Sequence, residues 1–144
     1  MRYLLLCILA CLIPNLSFAL NPAGVTPKLL NVAAQNTNWK VSFVTAEHGQ
    51  VVFMNVSPIT NPKNEIGSET HKFDQMILIV QGRGKAVLDG KTSTVTAGDM
   101  IFIPEGTVHN VINLTQKPLK LISFYSDRDM PANTVYAKKS DDKE

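Results

Sequence analysis

Three histidines occur in the chain, and one of them, His71, lies between two oxygen donors at even spacing. Glu69 precedes it by two residues and Gln75 follows it by four. Alternate residues of a strand point to the same face, so an unbroken strand over 69–75 would bring these side chains together. Imidazole nitrogens and carboxylate or amide oxygens suit a divalent transition metal. With a second inward-facing strand, the sequence predicts one metal site whose donors are Glu69, His71, Gln75 and His109.

The other polar candidates have simpler interpretations. His48 precedes a glycine in a predicted turn, and Asp74 has the opposite parity to His71, so both are expected at the surface. Asn113 is expected to brace the backbone rather than to contact a substrate. The glycines of 82–90 have no following helix, which favours a hairpin over a phosphate-binding loop.

The elements that must position these donors are short strands. From residue 39 onward, runs rich in β-branched and aromatic residues alternate with turn signals that contain glycine, proline, asparagine or aspartate. No segment after residue 39 has sustained helical periodicity, and many closely spaced short strands predict a sandwich or a barrel. Upstream, Thr26 and Pro27 favour the start of a short helix, although the same segment would also serve as an arm on the domain.

Composition and charge limit the class of protein. A chain of 144 residues with 44% hydrophobic residues suits one packed domain. The formal charge is +2 with both signs interspersed, so the basic patch of a nucleic-acid-binding protein is missing. The sequence divides into an N-terminal arm at 20–38, a β-domain at 39–126 and a charged tail at 127–144, whose end we expect to be frayed.

The first nineteen residues have the pattern of a secretory signal peptide. Arg2 gives a basic start, an apolar run follows, and small residues precede a predicted cleavage after Ala19. The run is too short to span a bilayer, so no membrane span is expected. The mature chain would begin at Leu20 and be periplasmic or secreted.

Both cysteines, Cys7 and Cys11, fall inside this signal. A lipoprotein acylated at Cys11 is the alternative, but cleavage there would leave an apolar stretch at the new terminus. The mature chain would have no disulfide, so its core or a metal must stabilise it.

The segment 98–113 resembles the second conserved motif of the cupins, G-(X)5-P-X-G-(X)2-H-(X)3-N. Every position is present: Gly98, Pro104, Gly106, His109 and Asn113. The resemblance implies an all-β fold, an antiparallel cupin β-barrel or jelly roll, over roughly residues 40–126. It also implies a hairpin whose proline and glycine return the chain with His109 facing the lumen.

The first cupin motif is matched in spacing, but two of its usual metal-binding positions hold other residue types. His71, Gln75 and Gly82 have the family spacing, but Glu69 stands where a histidine is usual and Gln75 where the carboxylate is usual. This arrangement resembles an RmlC-like, phosphomannose-isomerase-like subgroup with an E-x-H…DQ first motif. By analogy we expect a homodimer, and the apolar strand at 39–44 offers an edge for pairing.

The resemblance implies a divalent metal, either Fe, Mn, Zn or Ni, and a small molecule in the lumen. Two histidines and one carboxylate leave open positions on such a metal, which predicts a mononuclear-metal enzyme of oxygenase or isomerase type. The alternative is a non-catalytic module that binds a sugar or an organic acid beside a structural metal. In a third interpretation the site is vacant and Gln75 marks lost chemistry.

Overall fold

A computed structural model describes residues 20–143, and the predicted signal peptide lies outside this range. One helix, nine strands and a short 3-10 turn occur in the described chain. In order they are α1 (Leu29–Gln35), β1 (Lys40–Ala46), β2 (Gly49–Val56), β3 (Gln75–Gln81), β4 (Arg83–Leu88), β5 (Lys91–Thr96), β6 (Met100–Ile103), β7 (His109–Asn113), β8 (Leu119–Tyr125), β9 (Val135–Tyr136) and the turn Lys139–Asp141.

The strands form two antiparallel sheets. The larger has the order β6-β3-β8-β2-β1-β9, and the smaller has the order β5-β4-β7. The predicted all-β, antiparallel architecture with little helix is therefore confirmed. The two sheets share one hydrophobic core, as in the predicted jelly roll, but no ladder in the described chain joins them into a closed barrel.

The main hydrophobic core lies between the sheets. Strand β3 contributes Ile77 and Ile79, which alternate with half-buried residues as a strand with one buried face requires. The small sheet contributes Ala86 and Val111 to the same cluster. These aliphatic side chains pack the two sheets against each other.

The smaller sheet is extended by an irregular segment at 64–69. This segment runs along the free side of β7, where Asn113, Ile66 and Glu69 donate backbone hydrogen bonds to Asn64, Val111 and His109. The segment therefore acts as an additional strand, and it brings Glu69 beside His109.

Helix α1 covers part of the outer face of the larger sheet. Ala33 packs against Phe53 and Ile122 in a second apolar cluster. The predicted helix exists, but it begins at Leu29 and not at Pro27, because Lys28 takes a left-handed conformation with φ 53° at the N-cap position.

The C-terminal segment packs on the domain, and even in its charged end Trp39 Nε1 donates to Asp142 Oδ2 at 3.1 Å, so the expected fraying is not seen up to this residue. Strand β9 pairs with β1 at Lys40 and Val41, and Met130 is buried in the main core. Strand β9 covers the edge of β1 only at its first two residues, Lys40 and Val41, so pairing of this edge with a second copy stays a prediction. No helix among residues 20–143 is long and apolar enough to cross a membrane.

Candidate metal centre

Glu69 and His109 are held opposite each other by the backbone. Each backbone N–H donates to the carbonyl of the other residue, at 2.9 Å in both directions. Directly opposed residues place their side chains on the same face of a sheet. His109 is almost completely buried, whereas the side chain of Glu69 is one-third exposed.

His71 lies in a loop, and the turn after β6 fixes this loop. The N–H of Gly106 donates to the carbonyl of His71 at 2.9 Å, and the N–H of Glu105 donates to Asp74 Oδ1 at 2.9 Å. The turn that leads into His109 therefore also holds the loop that carries His71. The imidazole stacks on Phe73 with 4.9 Å between ring centroids.

The predicted unbroken strand over 69–75 is wrong. Glu69 makes an isolated bridge, the chain bends at Lys72 and Phe73, and β3 begins only at Gln75. Parity therefore does not explain why Glu69 and His71 meet. They meet because Glu69 is paired with His109 of β7, and the hydrogen bond from Gly106 to His71 holds the loop after Glu69 close to His109.

One donor atom each from Glu69, His71 and His109 lies within 4.8 Å of the others. Glu69 Oε2 is 3.6 Å from His71 Nε2 and 4.0 Å from His109 Nε2. These distances are too long for hydrogen bonds, and both Nε2 atoms are buried without a hydrogen-bond partner in the described part of the chain. Since buried polar atoms are normally satisfied, this arrangement fits an ion between the three donors.

The tautomer of His109 suits a metal ligand. Its Nδ1 lies 2.9 Å from the carbonyl oxygen of Thr107. A carbonyl can only accept, so in the neutral ring this contact places the proton on Nδ1 and leaves the Nε2 lone pair facing the cluster. A backbone partner that fixes the ring in this way is common behind metal-bound histidines.

Gln75 is buried at the start of β3, and its Nε2 donates to Ser123 Oγ at 3.1 Å. Its Oε1 has no hydrogen-bond partner among residues 20–143. The amide is thus oriented by the serine with its oxygen unpaired. Its role as a fourth donor stays a prediction.

The other assigned residues occupy simple positions. His48 is exposed in the turn between β1 and β2, and Asp74 is an exposed carboxylate. Asn113 braces the backbone as expected: its Nδ2 donates to the carbonyls of Val56, Ser57 and Lys117.

Two charged residues beside the cluster were not identified from the sequence. Asp129 Oδ1 lies 3.6 Å from His71 Nδ1, and Lys40 Nζ lies 2.8 Å from Asp129 Oδ2. Both residues are far from the histidine in sequence, and no motif or spacing marks them. A cavity of about 320 Å³ lies next to the cluster. Its walls are formed by Lys40, Ser68, Glu69, Thr70, His71 and Asp129.

Comparison with known proteins agrees with this architecture. A family model described as the cupin domain matches residues 59–125. The chain is 35% identical over 129 residues to the uncharacterized protein YrkC of Bacillus subtilis, covering 82% of this chain and 67% of YrkC. The chain thus spans about two thirds of the length of that relative.

Solved structures show the same fold. BH2720 from Bacillus halodurans has a TM-score of 0.77 and 28% identity, over 83% of this chain and 93% of that one. An RmlC-like cupin from Shewanella frigidimarina has a TM-score of 0.54 and 20% identity, over 62% of this chain and 75% of that one. At the lower identity the likeness concerns the fold alone.

Proposed function

We propose that this chain, which belongs to the cupin family, binds one divalent transition-metal ion through Glu69, His71 and His109. The observation that carries the proposal is the pair of buried Nε2 atoms, which face one carboxylate and have no hydrogen-bond partner in the described chain. Leaving two such nitrogens unsatisfied would cost free energy that an ion in the cluster recovers.

The donor set favours Fe, Mn, Zn or Ni, because imidazole nitrogen with one carboxylate suits first-row metals better than Ca²⁺ or Mg²⁺. Three protein donors leave coordination positions open, and a bound metal would supply Lewis-acid or oxygen chemistry there. We propose an enzyme of oxygenase or isomerase type that acts on a small molecule in the adjacent cavity. Glu69 holds the ion in this proposal and is not free to act as a general base.

The alternative is a non-catalytic binding module. Gln75 favours it, because a neutral amide stands where the cupin pattern has a carboxylate, and this departure is compatible with a metal that only anchors a ligand or with a vacant site. We also propose the phosphomannose-isomerase-like subgroup, on the E-x-H…DQ pattern at 69–75.

Elemental analysis of protein purified from its native compartment tests the metal proposal. We expect one ion per chain in wild type, loss of the ion in His109→Ala, and full retention in the control His48→Ala, whose histidine is exposed in a turn. Absence of metal from wild type would refute the proposal. Metal-dependent turnover or oxygen consumption would favour the enzyme over the binding module.

We propose export to the periplasm or the cell exterior after cleavage behind Ala19. The support is the sequence pattern alone: a basic start, an apolar run and small residues before the cleavage point. N-terminal sequencing of exported protein should find Leu20 first. A lipid-modified Cys11 at the terminus would refute this cleavage site.

We propose a homodimer that uses the outer face of the larger sheet beside the edge strand β6. Met100 and Phe102 are 65% and 52% exposed there, and Phe102 is in register with Met76 and Phe124 across β3 and β8. This row extends an apolar surface beyond the part covered by α1.

Sedimentation equilibrium tests the dimer. The variant Phe102→Glu should be more monomeric than wild type. The control Thr92→Glu, on the exposed strand β5, should be as dimeric as wild type. A monomeric wild type at micromolar concentration would refute the dimer without affecting the metal proposal.

A further inference from the structure

We propose that Asp129 is a positioning residue for His71, and that Lys40 and Gln50 hold Asp129 in place; this inference rests on the proposed metal site. The imidazole of His71 lies between two carboxylates. Glu69 Oε2 is 3.6 Å from Nε2, and Asp129 Oδ1 is 3.6 Å from Nδ1. One carboxylate belongs to the donor cluster, and the other lies behind the ring.

Lys40 orients the carboxylate of Asp129. The ammonium of Lys40 lies 2.8 Å from Asp129 Oδ2, and the two side chains are only 5% and 8% exposed. A buried ion pair of this kind keeps its geometry because separating the charges would leave the carboxylate of Asp129 desolvated without its cation. The ammonium of Lys40 also lies 3.7 Å from Asp142 Oδ2. Since Lys40 binds Oδ2 of Asp129, the other oxygen, Oδ1, is directed at His71.

Gln50 fixes the backbone that carries Asp129. Its Oε1 accepts hydrogen bonds from the N–H groups of Asp129 and Met130 at 3.1 Å each, and its Nε2 donates to the carbonyl of Met130 at 2.8 Å. Gln50 is itself buried. The turn at 129–130 is thereby attached to β2, so the position of Asp129 does not depend on a free loop.

The consequence for His71 is electrostatic. At 3.6 Å the carboxylate of Asp129 is beyond hydrogen-bond distance, so it acts through its charge and by restricting the ring. Glu69 lies at the same distance from Nε2, but an ion held between Glu69 and Nε2 would neutralise that charge. The charge of Asp129 would then favour the proton on Nδ1, leave the Nε2 lone pair for the metal and increase its donor strength.

The residues that hold His71 in this way lie outside the part of the chain that matches the cupin domain. The cupin family match spans residues 59–125, whereas Lys40, Gln50 and Asp129 all lie before or after it. The flanking segments of this chain therefore add a carboxylate behind one ligand, and the match to the family domain does not reveal it.

Zinc titration of the mature chain tests the role of Asp129. Asp129→Asn should bind Zn²⁺ about 10–100-fold more weakly than wild type, the loss typical when a ligand's outer partner is removed. The matched control is Asp127→Asn, which removes the same charge from an exposed residue two positions earlier and should bind like wild type. Circular dichroism before each titration verifies that the variants are folded.

A measurement on wild type keeps the proposal testable if Asp129→Asn does not fold. In NMR spectra of the zinc-loaded protein, His71 should show a protonated Nδ1 and a metal-bound Nε2. Metal bound through Nδ1 would overturn the positioning role, as would unchanged zinc affinity in folded Asp129→Asn, and the metal site would stand in both cases. If wild type binds no zinc, the proposed metal site itself fails.

Discussion

Glu69 and His109 exchange both of their backbone hydrogen bonds, so two donors of the candidate site are tied to each other by the main chain. The pairing fixes the two backbones side by side, with both side chains on the same face of the sheet. Two of the three donor residues are therefore placed next to each other before any ion binds, which lowers the ordering cost of metal binding.

The first prediction concerns the tautomer of His109. In the metal-free protein, at a pH where the ring is neutral, NMR should find the proton on Nδ1, because the carbonyl of Thr107 lies 2.9 Å away and can only accept. A neutral ring protonated mainly on Nε2 would show that the hydrogen bond to Thr107 does not form and that Nε2 is not prepared for a metal.

The second prediction concerns Gly106, which has φ +80°. Nothing lies within 4 Å of an added Cβ, so Gly106→Val tests backbone strain alone. We expect the free energy of unfolding to fall by about 1–3 kcal/mol, measured by urea unfolding in a chelator. The control is Glu105→Val, an exposed residue of the same turn, and equal stability of the two variants would contradict the strain argument.

The part of the site around the turn at Gly106 and strand β7 could be predicted from the sequence, because local backbone geometry determines it. The resemblance of 98–113 to the second cupin motif implied a strained turn at Gly106 and an inward His109, and the structure has a φ of +80° at Gly106 and a buried His109. The bracing role expected of Asn113 is also found. These features depend on a tight turn and a period of two along one strand, which neighbouring residues determine.

Long-range features were predicted less well. Parity over 69–75 placed Glu69, His71 and Gln75 on one face for a reason that is wrong, because the bend at Lys72 and Phe73 interrupts the strand. The ion pair of Lys40 and Asp129 beside His71 was not predicted, because these two residues meet only through tertiary packing and a charged residue near a polar tail is ordinarily solvated. The sequence predicted a β-barrel or jelly roll without deciding how the strands divide into sheets, since strand patterns alone do not determine closure.

The third prediction concerns Asn113, which is fully buried and donates to three carbonyls. Asn113→Ala should lower the free energy of unfolding by about 1–3 kcal/mol, because those carbonyls lose a donor that water cannot easily replace. Thermal and urea unfolding measure the change. Asn61→Ala, at an exposed position, is the control, and an equally small effect at both sites would contradict the bracing role.

The fourth prediction concerns Lys120, whose pKa burial lowers from the ordinary 10.5. Its Nζ donates to the carbonyl of Asn36 at the end of α1. At pH values between the lowered pKa of Lys120 in the folded chain and 10.5, this residue binds more protons in the unfolded chain than in the folded chain. The free energy of unfolding must therefore rise with pH in that window.

The test compares the free energy of unfolding of wild type with that of Lys120→Met as the pH is raised toward 10.5. Wild type should gain stability relative to the variant as Lys120 loses its proton in the folded state. Lys117→Met controls for the loss of a lysine charge at an exposed position. A difference that stays constant or moves the other way would contradict the effect of burial on Lys120.

The central claim is that Glu69, His71 and His109 hold the metal and that Gln75 contributes weakly. The direct measurement is metal titration of wild type, Glu69→Gln, Gln75→Ala and Gln75→Glu in one buffer at one pH, since histidine ligands must be deprotonated. Glu69→Gln should lose the most affinity because it removes the anionic donor; Gln75→Ala should lose far less, and Gln75→Glu should bind more tightly. If Gln75→Ala loses the metal while Glu69→Gln keeps it, the proposed triad is wrong.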